Sequence, residues 1–258
     1  RLMAVFAGTL MTAMVQSSSA TTVMTVGFVN AGLMTLQQAI GVIFGANIGT
    51  TVTAQIIAFK LDDLAYPAIA IGLLFMMFFK RQNWKFLGQV LLGFGLLFLG
   101  MKTMGGILKP LQYSPEFKAW FQLFDCSPVD GGMIPFGRAF MCILIGTVTT
   151  VVVQSSSATV GLVLALASQG LIGFETAVPL ILGDNIGTTI TANLAAIGSS
   201  RNARRAALAH TLFNVFGAAY MYILLFIPLW DGHPLFLGFI DWLTPGEVLN
   251  GEDENLLR

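Results

Sequence analysis

Gln16, Ser17, Ser18 and Ser19 form a polar run inside an apolar stretch, and Gln154, Ser155, Ser156 and Ser157 form the same run 138 residues later. A second pair recurs at the same offset: Asn47-Ile-Gly-Thr50-Thr51 and Asn185-Ile-Gly-Thr188-Thr189. Aligned without gaps, residues 15–55 and 153–193 share 19 of 41 positions. Two motifs at one offset mark an internal duplication. The duplicated side chains are hydroxyls and amides, which donate and accept hydrogen bonds. Such groups suit a small anion, a small cation, or both. Asp184 stands beside the second Asn-Ile-Gly-Thr run, where the first has Ala46. A carboxylate inside an apolar segment is functional by default, so Asp184 is a candidate cation site.

The elements that position these residues lie in lipid. The chain has 258 residues, 55% hydrophobic and 10% charged, with mean hydropathy +0.79. Soluble domains carry roughly 25% charged residues. Net charge is zero, which argues against a nucleic-acid partner. Cys126 and Cys142 have neither a metal nor a redox spacing and read as small apolar residues. The chain starts inside an apolar stretch and ends in a charged run, which reads as a fragment of a longer protein.

No charge occurs from Ala139 to Phe174, 36 residues. As one helix they would span about 54 Å, against a hydrocarbon layer of roughly 30 Å. Gln154-Ser155-Ser156-Ser157 sits near the middle, so the stretch is expected to fold as a re-entrant hairpin with arms of about 15 residues. Its tip must face protein or water, not lipid. Glycine and Asn cluster at Gly45–Gly49 and Gly183–Gly187, which predicts a broken transmembrane helix in each repeat. Spans are expected at Leu64–Phe79, Phe86–Leu108 and Ala206–Ile227, with Leu235–Leu243 at the membrane interface. The fold expected is an all-α membrane protein with two inverted-topology repeats, residues 1–108 and 136–227. An external connection, 109–135, joins them, and 228–258 form an interfacial or external segment.

The inversion follows from counting. A hairpin crosses zero times, the broken helix once and the next two spans once each. Three crossings separate the repeats. The connection Lys80–Lys85 and the loop Ser199–Arg205 are both basic and both fall on the cytoplasmic side of this topology.

Serines capping the half-helix after each tip, with Thr50 and Thr188 capping a second, would offer four helix N-termini to an anion. Interrupted helix ends would offer carbonyls to a cation. The apolar cores contain no Lys or Arg. A polyvalent oxyanion among neutral donors carries a desolvation penalty on the order of tens of kcal/mol as a Born upper bound. Co-bound cations remove most of it, which is the physical basis of symport.

The paired runs at 16–19, 154–157, 47–50 and 185–188, with Ala209-His-Thr-Leu-Phe-Asn214, resemble the type II sodium-dependent phosphate cotransporters and their bacterial relatives. The resemblance covers most of 6–217. It implies that Gln16, Ser17, Ser18, Ser19, Asn47, Thr50, Thr51, Gln154, Ser155, Ser156, Ser157, Asn185, Thr188 and Thr189 form phosphate and sodium sites. It further implies sodium-coupled import of inorganic phosphate across the plasma membrane, the inner membrane in a bacterium. The expected partners are phosphate, sodium as coupling ion and membrane lipid. A homodimer stays open, and no further cofactor is expected.

Two other classes are weighed. A transporter or exporter of sulfate or a carboxylate would use the same site logic. A serine hydrolase would pair a motif serine with His210, but there is no Gly-x-Ser-x-Gly and His210 has no counterpart in the first repeat. The chain is therefore not expected to be an enzyme. A channel fits inverted copies less well than alternating access does. His210 and Asn214, four apart, share a helix face and are expected to bond a neighbouring helix.

Overall fold

The computed structural model describes residues 1–59, 61–128, 133–228 and 234–243. Their regular elements are helical, apart from an isolated bridge between Pro228 and Pro234. In chain order these are α1 (Leu2–Val15), α2 (Ser18–Asn30), α3 (Leu36–Ala58), α4 (Ala65–Phe78) and α5 (Gln82–Leu108). After a short α6 (Pro115–Gln122) come α7 (Phe136–Val153), α8 (Ser156–Ser168), α9 (Phe174–Gly187), α10 (Thr189–Ala195), α11 (Arg201–Leu224) and α12 (Leu235–Leu243).

Among the described residues, Leu36–Ala58, Gln82–Leu111, Phe136–Val153 and Arg201–Leu224 are long and apolar enough to cross a membrane. Helices α1, α2 and α8, of 14, 13 and 13 residues, reach about 20 Å and fall short of the hydrocarbon thickness. The first arm of the second tip, α7, has 18 residues because it begins at Phe136, ahead of the charge-free stretch.

The expected break at Gly45–Gly49 does not occur. Helix α3 runs unbroken through it. In the second repeat α9 continues through Gly183–Gly187, and the only interruption is Thr188. That residue keeps helical angles and donates its N–H to the carbonyl of Asp184 at 2.9 Å. The glycines serve packing. A Cβ on Gly45 would lie 2.0 Å from the carbonyl oxygen of Val5, and one on Gly183 would lie 2.0 Å from that of Ile143. Gly49 and Gly187 meet Thr9 and Thr147 in the same way. Small residues let the backbones of α1 and α3, and of α7 and α9, approach closely, which is how membrane helices gain contact. Glycine in a helix costs only about 1 kcal/mol, less than freeing backbone groups in lipid.

The repeats meet crosswise. Helix α2 packs on α10, and α8 packs on α3. Helix α11 lies against α2, α3, α9 and α10. One core cluster sits at this junction, with Val26 and Val29 of α2, Ala39 and Ile43 of α3, Ala192 of α10, and Ala203, Ala206 and Ala207 of α11. Ser200 N–H donates to Asn30 Oδ1 at 2.7 Å across the same boundary. Arg201, Arg204 and Arg205, expected in a loop, occupy the first turns of α11, capped by Ser200.

A second cluster joins α7, α8 and α9 to Leu225 and to Leu237 of α12. The expected 228–258 segment is thus partly a packed helix. Its positions 229–233 and 244–258 lie outside the described residues, as does Lys60.

Candidate functional site

Each Gln-Ser-Ser-Ser run makes a two-residue reversal between helices. Gln16 has φ 58° and Gln154 has φ 59°, the non-glycine residues with positive φ among those described. The left-handed conformation stops α1 and α7 abruptly. For a residue with a Cβ it is costly, and such strain tends to persist where function requires it. Both amides compensate locally by donating back to the helix they end. Gln16 Nε2 donates to Ala13 O, and Gln154 Nε2 to Val151 O at 3.3 Å. Ser17 and Ser155 are extended and cap the next helix, accepting from the N–H of Ala20 at 3.1 Å and Ala158 at 3.3 Å. Thr12 and Thr21 then join the arms with hydroxyls 3.0 Å apart, and Thr150 and Thr159 repeat that contact at 3.0 Å. The duplication in sequence is a duplication of geometry.

The motif residues fare differently. Ser18 and Ser156 are buried, while Ser17, Ser19, Ser155 and Ser157 are half-buried. Gln16 and Gln154 are exposed. Gln16 reaches α3, where Thr53 donates to its Oε1 at 2.9 Å. In the second repeat Thr191 instead donates to Thr188 O at 3.0 Å, so Gln154 stays unlinked to α10. Asn47 Nδ2 donates to Ile43 O at 3.2 Å, and Asn185 is exposed.

Thr50 and Thr188 do not cap helices. Each donates one turn back, to Ala46 O at 3.0 Å and Asp184 O at 2.9 Å. Thr51 and Thr189 bond Ile48 O and Ile186 O. The four expected helix N-termini therefore reduce to two, those of α2 and α8. Without a break, the helix satisfies its own N–H groups and leaves none to offer.

Asp184 is 2% exposed. Thr150 Oγ1 lies 2.7 Å from its Oδ1 and 3.0 Å from Gly146 O. The expected bond of His210 to another helix is absent. Neither ring nitrogen has a hydrogen-bond partner among the described residues, and the side chain is fully buried. Asn214 Nδ2 donates within its own helix, to His210 O at 3.0 Å. Helix α11 is tied instead by Thr211, which accepts from Asn193 at 2.7 Å, and by Phe213, stacked on Phe44 at 4.3 Å. Sequence reading also missed the cysteines. Their sulfurs lie 3.6 Å apart, which a separation of 16 residues does not announce.

Apolar spans, small-residue helix contacts and duplicated polar turns define a membrane protein built on an internal duplication. The chain belongs to the Na+/Pi-cotransporter family, whose model matches residues 1–106 and 136–228. It is 33% identical over 237 residues to uncharacterized protein YqeW of Bacillus subtilis, covering 91% of this chain and 70% of that protein. It is 32% identical over 212 residues to "Putative inorganic phosphate export protein YjbB" of Escherichia coli K12, covering 82% of this chain and 37% of that protein. To human sodium-dependent phosphate transport protein 2B it is 45% identical over 87 residues, 32% of this chain and 13% of that one. The chain thus spans well under half the length of these last two relatives. No solved structure matches it.

Proposed function

We propose that this chain carries the transport core of a sodium-coupled symporter that moves inorganic phosphate inward across the plasma membrane by alternating access. The observation that carries the reading is the duplicated Gln-Ser-Ser-Ser turn. Each ends one helix and starts another with a serine cap, and the arms cross between repeats, α8 packing on α3 with its Asn-Ile-Gly-Thr run and α2 on α10, which follows the second run. In this reading the repeats, 1–108 and 136–227, are inverted, the tips are re-entrant, and 109–135 is external. The N-termini of α2 and α8 attract the anion. Motif hydroxyls, amide oxygens and Asp184 hold sodium. The absence of Lys and Arg from residues 2–59 and 139–200, which carry all four motif runs, makes cations the natural counter-charge.

The test is uptake of labelled phosphate by proteoliposomes containing the complete protein. Uptake is expected only with an inward sodium gradient. Equal uptake with potassium in place of sodium, at fixed pH, overturns the coupling. The export named for YjbB supports a second reading, the same core running outward. Phosphate loss from loaded vesicles, without sodium-driven entry, would favour it. Competition by sulfate or a small carboxylate tests the choice of anion.

A further inference from the structure

We propose that Cys126 and Cys142 are a disulfide site that staples the connection between the repeats to α7. The chain has two cysteines. Both are fully buried, and their sulfurs lie 3.6 Å apart as free thiols. Closing that gap to the roughly 2.0 Å of a disulfide bond needs a small shift of one residue. The fold supplies one rigid partner and one that can adjust. Cys142 lies within α7, and Cys126 lies in the irregular segment after α6.

The surroundings hold the pair in register. Cys126 N–H donates to Thr176 Oγ1 at 2.9 Å, and Asp125 Oδ1 accepts from the same hydroxyl at 3.1 Å. Arg138, one turn before Cys142 on α7, donates to Asp125 O at 3.0 Å. Both sulfurs reach one acceptor, the carbonyl of Phe124, at 3.5 and 3.1 Å. Residues 125 and 126 are thereby fixed to α7 and α9 at once.

The chemistry is exchange with a protein disulfide of an oxidising extracytoplasmic compartment. During folding, before the connection docks on α7, Cys126 loses its proton and attacks that disulfide, expelling one thiolate. The Cys142 thiolate then attacks the Cys126 sulfur of the mixed disulfide and expels the second. The pair loses two electrons and two protons, and the oxidant becomes a dithiol. Placement in such a compartment rests on the topology proposed above.

The test is made on the complete protein in membranes of the expressing cells. Free thiols are trapped with N-ethylmaleimide under acid quench, and the protein is digested without reductant. We expect the peptides holding Cys126 and Cys142 as one linked mass that dithiothreitol separates. The oxidised protein should also unfold at a higher temperature than the reduced one, and Cys126→Ser and Cys142→Ser should each abolish that difference. Alkylation of both cysteines in membranes overturns the proposal. Purified protein treated with diamide then locates the fault. Linkage there indicts the assigned side of the membrane, and continued alkylation indicts the geometry.

Discussion

The hydroxyl of Thr150 lies 2.7 Å from a carboxylate oxygen of Asp184, while its counterpart Thr12 faces a repeat in which that position is Ala46. Both threonines keep the contact across their tip, at 3.0 Å. The carboxylate is thus added to a geometry that exists without it. A hydroxyl has one proton to give, and an ionised carboxylate is the strongest acceptor within reach. One donated bond does not offset the cost of burying a charge, which is why the function proposed above places a cation beside Asp184.

Asp184→Asn keeps the size and removes the charge. Sodium activation of phosphate uptake should shift to severalfold higher sodium, with phosphate affinity at saturating sodium changing less. Current recorded alongside should show altered charge per phosphate. Unchanged sodium dependence and unchanged charge per phosphate would reduce Asp184 to a structural hydrogen-bonding group.

The packing glycines make a separate prediction. Gly45→Ala and Gly183→Ala each place a methyl 2.0 Å from a backbone carbonyl of the facing helix. Backbone cannot rotate away, so each should cost at least about 1–3 kcal/mol. Gly27→Ala meets nothing within 4 Å, and the second repeat carries Ala165 at the equivalent place. It should stabilise by up to about 1 kcal/mol. Thermal unfolding in detergent measures all three, and equal midpoints for Gly45→Ala and Gly27→Ala would refute the close approach.

Topology is tested by labelling. Gln82, Asn202 and Gln122 are exposed. With Cys126 and Cys142 replaced by Ser, single cysteines at 82 and 202 should resist an impermeant maleimide in intact cells, and one at 122 should react. Opposite behaviour at 82 and 202 contradicts the inverted count.

The helical fold and its duplicated turns were legible in the sequence because duplication turns weak signals into paired ones. The tips fell where Gln16 and Gln154 reverse the chain, since a polar run in the middle of an over-long apolar stretch has few other uses. The Asn-Ile-Gly-Thr runs misled because glycine has two meanings in a membrane helix. Gly45 and Gly183 read as helix breakers, but the facing backbones of Val5 and Ile143 give them their purpose. Each partner lies 40 residues before its glycine in sequence, and no local propensity reports it. The Cys126–Cys142 pair was hidden for the same reason, being made by the return of the chain from α6 to α7.

His210 makes the last prediction. Its imidazole is fully buried with both nitrogens unpartnered among the described residues, at the junction where α11 meets α2, α3, α9 and α10. Leaving a buried polar group unsatisfied costs about 1–3 kcal/mol, and a purely structural position would be better filled by an apolar side chain. Unsatisfied polar groups in native proteins call for a reason such as a ligand, an ion or a water. Thr211 and Phe213 fix this stretch of α11 against Asn193 of α10 and Phe44 of α3, and α11 also packs on α9, where Asn185-Ile-Gly187 lie. His210→Leu should therefore leave the thermal midpoint unchanged or raise it, while phosphate uptake falls at least about tenfold, the effect of losing about 1.4 kcal/mol of favourable interaction. His210→Gln, which retains a donor and an acceptor, should recover part of the uptake. A lowered midpoint with normal uptake per folded molecule would show that the imidazole serves packing alone.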